Sequence, residues 1–258
     1  MRTERYGNLK AQEGDLHLPA RARAPVVCLL HGGFWRMPYG RDQFSAVAQD
    51  LRNRGFAVWN LEYRRLGAPG GGWPGTFDDV LRGIEHLGLL CAQGAGLDLS
   101  RVAVVGHSAG GHLALWSAAR QRVDQSKGLT APVKIRAVAG LAPVADLVQA
   151  HLRGLGGGAV EELLGGSPAK VPERYAAASP RMMLPLLVPQ LIIHGTEDTA
   201  VPIEFSHSYV RAARDAGDDA DLLELSGVGH KEFLESASTA HSRLCHWLTG
   251  TLEEPSAP

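Results

Sequence analysis

The sequence predicts an α/β fold, a doubly wound and mostly parallel sheet with helices on both faces. Short apolar runs alternate with longer segments whose apolar residues recur every three or four positions, an alternation typical of β-α-β units. Most of the short runs are apolar on both faces, as strands are when helices cover each side of a parallel sheet. The predicted strands cover residues 26–30, 57–61, 102–105, 137–141, 191–193 and 222–225.

Three segments with helical spacing lie between or after these strands. The apolar face of the first ends close to Gly55, which suits the position just after a helix C-terminus. The second begins with the sequence TFDD at residues 76–79, where a threonine hydroxyl and a carboxylate three residues later can bond the first N–H groups of a helix. The apolar faces consist of Phe44, Val47, Ala48 and Leu51; of Phe77, Val80, Leu81, Ile84 and Cys91; and of Phe233, Leu234, Ala237, His241, Leu244 and Leu248.

The other segments fit a single domain over residues 1–258. The stretch before the first strand is long enough for an antiparallel hairpin around residues 9–18. Residues 146–187 are the longest irregular stretch, with the run GLGGG at 154–158 and several prolines, and we expect them to form a short helical cap insertion over one end of the sheet. The tail at 253–258 is expected to be frayed.

Composition and charge exclude several classes of protein. The 45% hydrophobic and 21% charged residues are typical of a folded domain and exclude disorder. A formal net charge of −1, without a long basic run, argues against a nucleic-acid partner. No apolar run approaches the roughly 20 residues that span a bilayer, so no membrane partner is expected either.

Cysteine usage and the N-terminus predict the compartment. Three cysteines are too few for a disulfide framework and indicate a reducing environment. The charged start of the chain leads into no apolar signal region. We therefore expect a cytoplasmic protein, and the sequence makes no prediction of its oligomeric state.

The strongest chemical signal is the sequence GHSAGG at residues 106–111. It follows the predicted strand at 102–105 directly and precedes a helical segment at 112–120. A G-x-S-x-G pattern between strand and helix is typical of a nucleophile elbow, in which a strained turn presents the serine above the sheet. The candidate nucleophile is Ser108, although a glycine-rich turn that only caps a helix would show the same local pattern.

A second glycine turn follows another strand. The sequence HGGFW at residues 31–35 comes directly after the strand at 26–30, where adjacent glycines allow backbone N–H groups to point into a cleft. We expect an oxyanion hole made by the N–H groups of Gly33, Phe34 and Ala109.

Two further loops supply a candidate acid and base. Asp198 lies in HGTEDTAVP, directly after the strand at 191–193, and is the predicted acid; Glu197 is the reserve candidate. Asp146, just after the preceding strand, is a weaker alternative. His230 lies in the glycine-flanked loop after the strand at 222–225 and is the predicted base.

The remaining histidines and aromatic residues have simpler interpretations. His31 and His194 end strands and are expected to bond loop backbone, while His107 is expected to project sideways from the elbow. His241 and Cys245 lie four apart on the last helix as half of a metal site, but no second pair accompanies them, so no metal and no cofactor are predicted. Beside the oxyanion loop, Trp35 and Phe34 are the predicted substrate-binding residues.

Together these motifs resemble the α/β-hydrolase superfamily over roughly residues 9–248. Ser108, Asp198 and His230 follow one another in the chain order of that superfamily. HGG followed by an aromatic residue and Trp is similar to the kynurenine formamidase (arylformamidase) and small carboxylesterase branch. Hormone-sensitive-lipase-like esterases are less similar, because Phe34 stands where they usually carry Gly or Ala. Prolyl-oligopeptidase-like enzymes share HGTEDTAVP but usually carry an extra gating domain, for which no residues remain here.

The resemblance implies a cofactor-independent serine hydrolase that acts on a small-molecule ester or amide. Carboxylic esters of small to medium acyl or aryl groups are the first expected substrates, aryl formamides the second and peptides the third. A non-catalytic binding module on the same fold is the alternative from another class. Such reuse normally replaces a member of the triad, and here all three are present.

Overall fold

The computed structural model describes residues 1–252 and contains one eight-stranded sheet. The strands are β1 (Arg2–Arg5), β2 (Glu13–His17), β3 (Ala24–Leu30), β4 (Ala57–Leu61), β5 (Leu97–His107), β6 (Ile135–Leu141), β7 (Gln190–Gly195) and β8 (Ala220–Leu225). Their order across the sheet is β1-β2-β4-β3-β5-β6-β7-β8. β1 pairs antiparallel with β2, and β2 pairs antiparallel with β4. All the other neighbouring strands are parallel. Each of the six strands predicted from the sequence is present, and the predicted hairpin begins earlier, at Arg2.

The helices cover both faces of this sheet, as predicted. They are α1 (Ser45–Asn53), α2 (Gly75–Ala92), α3 (Ala109–Ser126), α4 (Leu147–Leu152), α5 (Ala159–Leu164), α6 (Pro172–Ala178), α7 (Glu204–Asp215) and α8 (Thr239–Leu252). Alternate residues of the central strands point to opposite faces, so Cys28 packs in one core layer with α2 and α3, whereas Val27 packs in the other with α1 and α8. None of the helices within residues 1–252 is long and apolar enough to cross a membrane.

Two details of the predicted helices are wrong. The 76–79 sequence does not cap α2, which already begins at Gly75. The Thr76 hydroxyl instead donates to the carbonyl of Arg64, at 2.6 Å, because the preceding loop folds back over the helix start. The predicted last helix is divided, with a 3-10 turn at Glu232–Leu234 before α8. The predicted frayed tail at 253–258 lies outside the described residues.

The segment between β6 and β7 consists of short helical pieces. It contains α4, α5, α6 and a 3-10 turn at Pro180–Met183. Since β6 runs parallel to β3 and β5, this segment leaves the sheet at the same edge as the loops that carry the four motifs. Crevices outside the carboxyl ends of parallel strands are where α/β sheets bind ligands, and the candidate site lies there.

Candidate active site

Ser108 lies in a strained turn between β5 and α3. Its φ of 56° and ψ of −116° are rarely adopted by a residue with a side chain. The turn is tight enough that a Cβ added to Gly106 would lie 2.1 Å from the carbonyl oxygen of Gly110, and one added to Gly110 would lie 2.0 Å from that of Leu30. Both glycines are therefore required for strand, turn and helix to pack. Ser108 follows the last strand residue and immediately precedes the N-terminus of α3, which favours negative charge.

The predicted acid and base lie in contact with each other. His230 Nδ1 is 2.6 Å from Asp198 Oδ2, and the Asp198 side chain is fully buried. Asp198 Oδ1 accepts hydrogen bonds from the backbone N–H groups of Ala200 and Val201, each at 2.9 Å. This loop therefore holds the carboxylate in one orientation, with its second oxygen directed at the imidazole.

The electrostatic environment keeps Asp198 ionised. Burial by itself would raise the pKa of this carboxyl group, but hydrogen bonds from His194 and His230 and from the backbone of Val201 hold the pKa well below its usual range. His194 Nε2 lies 3.3 Å from Asp198 Oδ2 and 2.9 Å from the carbonyl oxygen of Val201. A charged carboxylate that accepts from His230 Nδ1–H leaves Nε2 of that ring available as a base.

The two other candidate acids form no hydrogen bond or ion pair with His230 in the described residues. Asp146 accepts a hydrogen bond from the N–H of Gln149 at the start of α4, and its other oxygen pairs with Arg181 at 3.2 Å. Glu197 is exposed, and its backbone N–H donates to Val228. Asp198 is thus the carboxylate that bonds His230 among the described residues.

His107 is more central to the site than its sequence position indicated. Its ring centroid lies 4.5 Å from that of His230, and its Nε2 is 2.8 Å from the carbonyl oxygen of His230. Burial, followed by the neighbouring His230, lowers the pKa of His107 to about 3, so the ring is neutral and Nε2–H donates. The residue beside the predicted nucleophile therefore anchors the loop that carries the predicted base.

The Ser108 residue is connected to the His230 loop through the adjacent His107. No hydrogen bond joins Ser108 Oγ to the His230 ring within residues 1–252. Such bonds are often long before substrate binds and shorten in the complex. In the sequence, the only sign of the contact between His107 and the His230 carbonyl is the position of His107 next to the serine in GHSAGG.

The loop after β3 lies directly beside Ser108. A Cβ added to Gly32 would be 3.3 Å from Ser108 Cβ. The next three residues, Gly33, Phe34 and Trp35, all have positive φ, at 104°, 49° and 57°. The backbone N–H groups of Gly33, Phe34 and Ala109 donate to no acceptor within the described chain. They can therefore donate to a bound ligand.

A buried pair beneath this loop sets the orientation of its first peptide. His31 Nδ1 lies 2.8 Å from the carbonyl oxygen of Gly32, and Nε2 lies 2.8 Å from Glu62 Oε1. Tyr63 stacks on the imidazole at 4.3 Å and donates its hydroxyl to the His31 carbonyl. The C=O and N–H of one planar trans peptide point in opposite directions, so a Gly32 carbonyl held by His31 directs the Gly33 N–H away from it.

The predicted substrate contact of Trp35 is wrong for this conformation. Trp35 is fully buried, and its indole N–H donates to His112 Nδ1 at 3.2 Å. The tertiary structure turns this side chain into the core under the loop, where it supports the loop from below. Phe34 is half-buried at the surface of the loop and lies against Gly156.

His241 and Cys245, considered above as half of a metal site, lie beside a third polar residue, Asp50. His241 Nε2 lies 2.7 Å from Asp50 Oδ2 and 3.3 Å from Cys245 Sγ. These are hydrogen-bond distances, and the Arg54 guanidinium also contacts Asp50, which disfavours a cation there. Burial raises the pKa of Cys245 to about 11. We interpret the cluster as a polar link between α1 and α8.

The charges around the site predict a simple pH dependence. Between pH 5 and 8 Asp198 stays ionised and His107 stays neutral, because both have pKa values far below this range. Neither group should therefore add a step to the pH dependence of kcat/KM in this range. A pH–rate profile with a small ester measures this, and loss of a pH-dependent step in a His107→Gln variant would contradict a neutral His107.

Comparisons with known proteins agree with this fold. The chain is 27% identical over 247 residues to a probable isoprenylcysteine alpha-carbonyl methylesterase of Oryza sativa subsp. japonica, covering 90% of this chain and 58% of that protein. It is 28% identical over 269 residues to the esterase LipC of Mycobacterium tuberculosis, covering 91% and 60%. The chain therefore spans less than two thirds of the length of either relative.

Solved structures show the same architecture. A truncated carbohydrate esterase from gut microbiota superposes with a TM-score of 0.84 at 20% identity, covering 98% of this chain and 97% of that one. Propionate-bound esterase Est2 of Thermogutta terrifontis superposes with a TM-score of 0.75 at 21% identity, covering 99% and 96%. These similarities confirm the predicted α/β-hydrolase fold.

The BD-FAE family model matches residues 15–212, which is more than half of the 258-residue chain. The protein therefore has the α/β-hydrolase fold and belongs to the BD-FAE family.

Proposed function

We propose that the protein is a serine esterase that cleaves carboxylic esters of small to medium acyl or aryl groups. The observation that carries this proposal is the 2.6 Å contact between His230 and the buried Asp198, on a loop anchored to the strained turn of Ser108. The whole chain acts as one catalytic domain, with residues 146–187 as a small cap.

In the first half of the reaction, Ser108 Oγ attacks the carbonyl carbon of the ester while His230 Nε2 takes the hydroxyl proton. The carbonyl oxygen becomes an oxyanion and accepts hydrogen bonds from the N–H groups of Gly33, Phe34 and Ala109. Collapse of this intermediate breaks the bond to the alcohol, which receives the proton from His230. An acyl-enzyme remains on Ser108.

In the second half, water replaces the alcohol. His230 takes a proton from the water as it attacks the acyl carbon, and the oxyanion forms again in the same hole. The bond to Ser108 Oγ then breaks, and His230 returns the proton to the serine. Asp198 stabilises the imidazolium that exists between the two proton transfers and holds its Nδ1–H.

The names of the relatives suggest the substrate classes to compare. They include an isoprenylcysteine methylesterase, and a structural neighbour is a carbohydrate esterase. An aryl formamide is the second candidate, favoured by the Phe34-Trp35 pair after the two glycines and by chemistry that the same acyl-transfer machinery performs.

A substrate panel tests the proposal. It contains p-nitrophenyl acetate and butyrate, an acetylated xyloside, an S-isoprenylcysteine methyl ester, N-formylkynurenine and an aminoacyl anilide. We expect the highest kcat/KM for an ester with a small acyl group, which is p-nitrophenyl acetate, p-nitrophenyl butyrate or the acetylated xyloside; a preference for the isoprenylcysteine methyl ester would contradict a small acyl pocket. A preference for N-formylkynurenine would replace the esterase by the formamidase, and absence of both turnover and fluorophosphonate labelling would favour a non-catalytic module.

Acyl-chain length should have a clear optimum. Each buried methylene contributes about 0.8 kcal/mol only until the pocket is filled, and a longer chain then costs entropy without matching burial. The half-buried Phe34 held against Gly156 narrows the space beside the oxyanion loop. We expect kcat/KM for p-nitrophenyl esters to peak at about two to six acyl carbons. A steady increase up to palmitate would contradict a small pocket.

A further inference from the structure

One arginine joins the oxyanion loop to the cap. Arg36 lies two residues after Phe34, and its guanidinium makes a two-pronged ion pair with Glu162 of α5: Nε to Oε2 at 2.9 Å and Nη2 to Oε1 at 2.8 Å. The same guanidinium donates Nη1–H to the carbonyl of Gly156, and Nη2–H to that of Gly157 at 3.3 Å. Its planar fork thus contacts both a helix of the cap and the glycine loop before that helix.

The glycine loop, residues 154–158, is held from within by a few backbone hydrogen bonds and by Leu155, which packs against the core. Its four glycines all have φ between 60° and 85°. A Cβ added at Gly154, Gly157 or Gly158 would meet nothing within 4 Å, so these residues face open space. Gly156 is different, since an added Cβ would lie 2.5 Å from Cδ1 of Phe34. Besides the packing of Leu155, the loop therefore contacts Phe34 through Gly156 and is tied there by Arg36.

This contact lies beside the proposed oxyanion hole. Phe34 supplies a candidate N–H donor with its backbone and forms the contact surface for Gly156 with its ring. Moving the glycine loop away would open the space next to Phe34 without moving Ser108, His230 or Asp198, none of which contacts Arg36 or Glu162 in the described hydrogen bonds.

We propose that Arg36 and Glu162 are specificity-determining residues. Their ion pair, together with the bonds from Arg36 to the loop carbonyls, holds the glycine loop against Phe34 and so limits the size of the acyl group. We call this set of contacts the clasp. The inference rests on the proposed esterase function. In this proposal, an ion pair excludes long acyl chains, and the catalytic residues do not.

The test compares two variants that weaken the clasp to different degrees. Glu162→Gln removes the ion pair, and Arg36→Met also removes both bonds to the loop carbonyls. Both side chains are partly exposed, at 30% for Arg36 and 55% for Glu162, and an exposed ion pair changes an equilibrium only a few-fold. We expect the kcat/KM ratio of p-nitrophenyl decanoate to butyrate to rise about threefold in Glu162→Gln and about tenfold in Arg36→Met. The rate on butyrate itself should change less than about twofold.

Glu173→Gln is the matched control. Glu173 is another cap glutamate, 71% exposed, and its ion-pair partner is Arg174 at 4.0 Å. The substitution removes the same charge from the cap but leaves the Arg36–Glu162 ion pair intact. The kcat/KM ratio of p-nitrophenyl decanoate to butyrate should therefore stay at the wild-type value. An equal rise in this variant, or an unchanged ratio in Arg36→Met, would overturn the proposal.

Amide hydrogen exchange provides a readout that needs no activity. The amides of Leu155 and Gly157 bond the carbonyls of Ala150 and Gly154, and their exchange should accelerate in Arg36→Met but not in Glu173→Gln. Unchanged exchange in Arg36→Met would refute the clasp even if the wild type cleaved no ester. Inactivity of the wild type on every ester would instead contradict the proposed function, so the two failures are distinguishable.

Discussion

Replacing Ser108 by alanine is expected to lower kcat by about 10⁴-fold or more. The hydroxyl is the proposed nucleophile, and the other triad groups cannot act without it, because members of a triad work as a unit. Alanine fits the same backbone as serine, so the strained turn with φ of 56° should be retained. The measurement is kcat on p-nitrophenyl butyrate, with covalent labelling by a fluorophosphonate as an independent readout.

The control for this variant is its thermal unfolding. Ser108 is 1% exposed, and loss of a buried hydroxyl should shift the melting temperature by only a few degrees. A folded variant that retained one tenth of the wild-type rate, with chemistry limiting, would exclude Ser108 as the nucleophile.

Replacing Asp198 by asparagine has the second largest expected effect, a loss of about 10³- to 10⁴-fold in kcat. An asparagine oxygen can still accept the bonds from Ala200 and Val201 now made to Oδ1. The NH₂ group would then face His230 Nδ1, and it donates where the carboxylate accepts. The ring would shift its proton to Nε2 and lose the lone pair that takes the serine proton.

Two neighbouring acids offer matched controls for Asp198→Asn. Glu197→Gln changes the adjacent side chain, and Asp146→Asn changes the alternative acid that caps α4. We expect both to retain activity within about tenfold, since neither carboxylate contacts His230 in the described residues. A larger loss in Glu197→Gln than in Asp198→Asn would show that the acid has been assigned to the wrong residue.

The order of strands and helices could be predicted because each signal is local. The strand Ala24–Leu30 is buried at every residue, and its apolar run is visible without any partner. The turns after β3 and β5 are equally visible, since glycines at fixed spacing are needed for the backbone itself to make them. The helix starts were less predictable. At Thr76, for example, the hydroxyl bonds a carbonyl of the loop that folds back onto the helix start, so it does not bond the first N–H groups of the helix.

The surroundings of the candidate site depended on residues distant in sequence. His107 contacts a carbonyl 123 positions later in the chain, and Arg36 pairs with a glutamate 126 positions away. Trp35 was expected at the cleft because its neighbours are there. Its indole instead donates to His112, 77 positions on, and the side chain is fully buried in the core.

The sequence by itself therefore determined the α/β fold, the strand ends that carry the motifs, the candidates Ser108 and His230, and three candidate acids of which Asp198 was the first. These depend on apolar periodicity and on backbone conformations that only certain residues permit. The tertiary structure alone decided which carboxylate faces His230, which aromatic side chain turns into the core and what ties the cap to the oxyanion loop. Those contacts join segments far apart in the chain, and their geometry exists only once the sheet has brought the segments together.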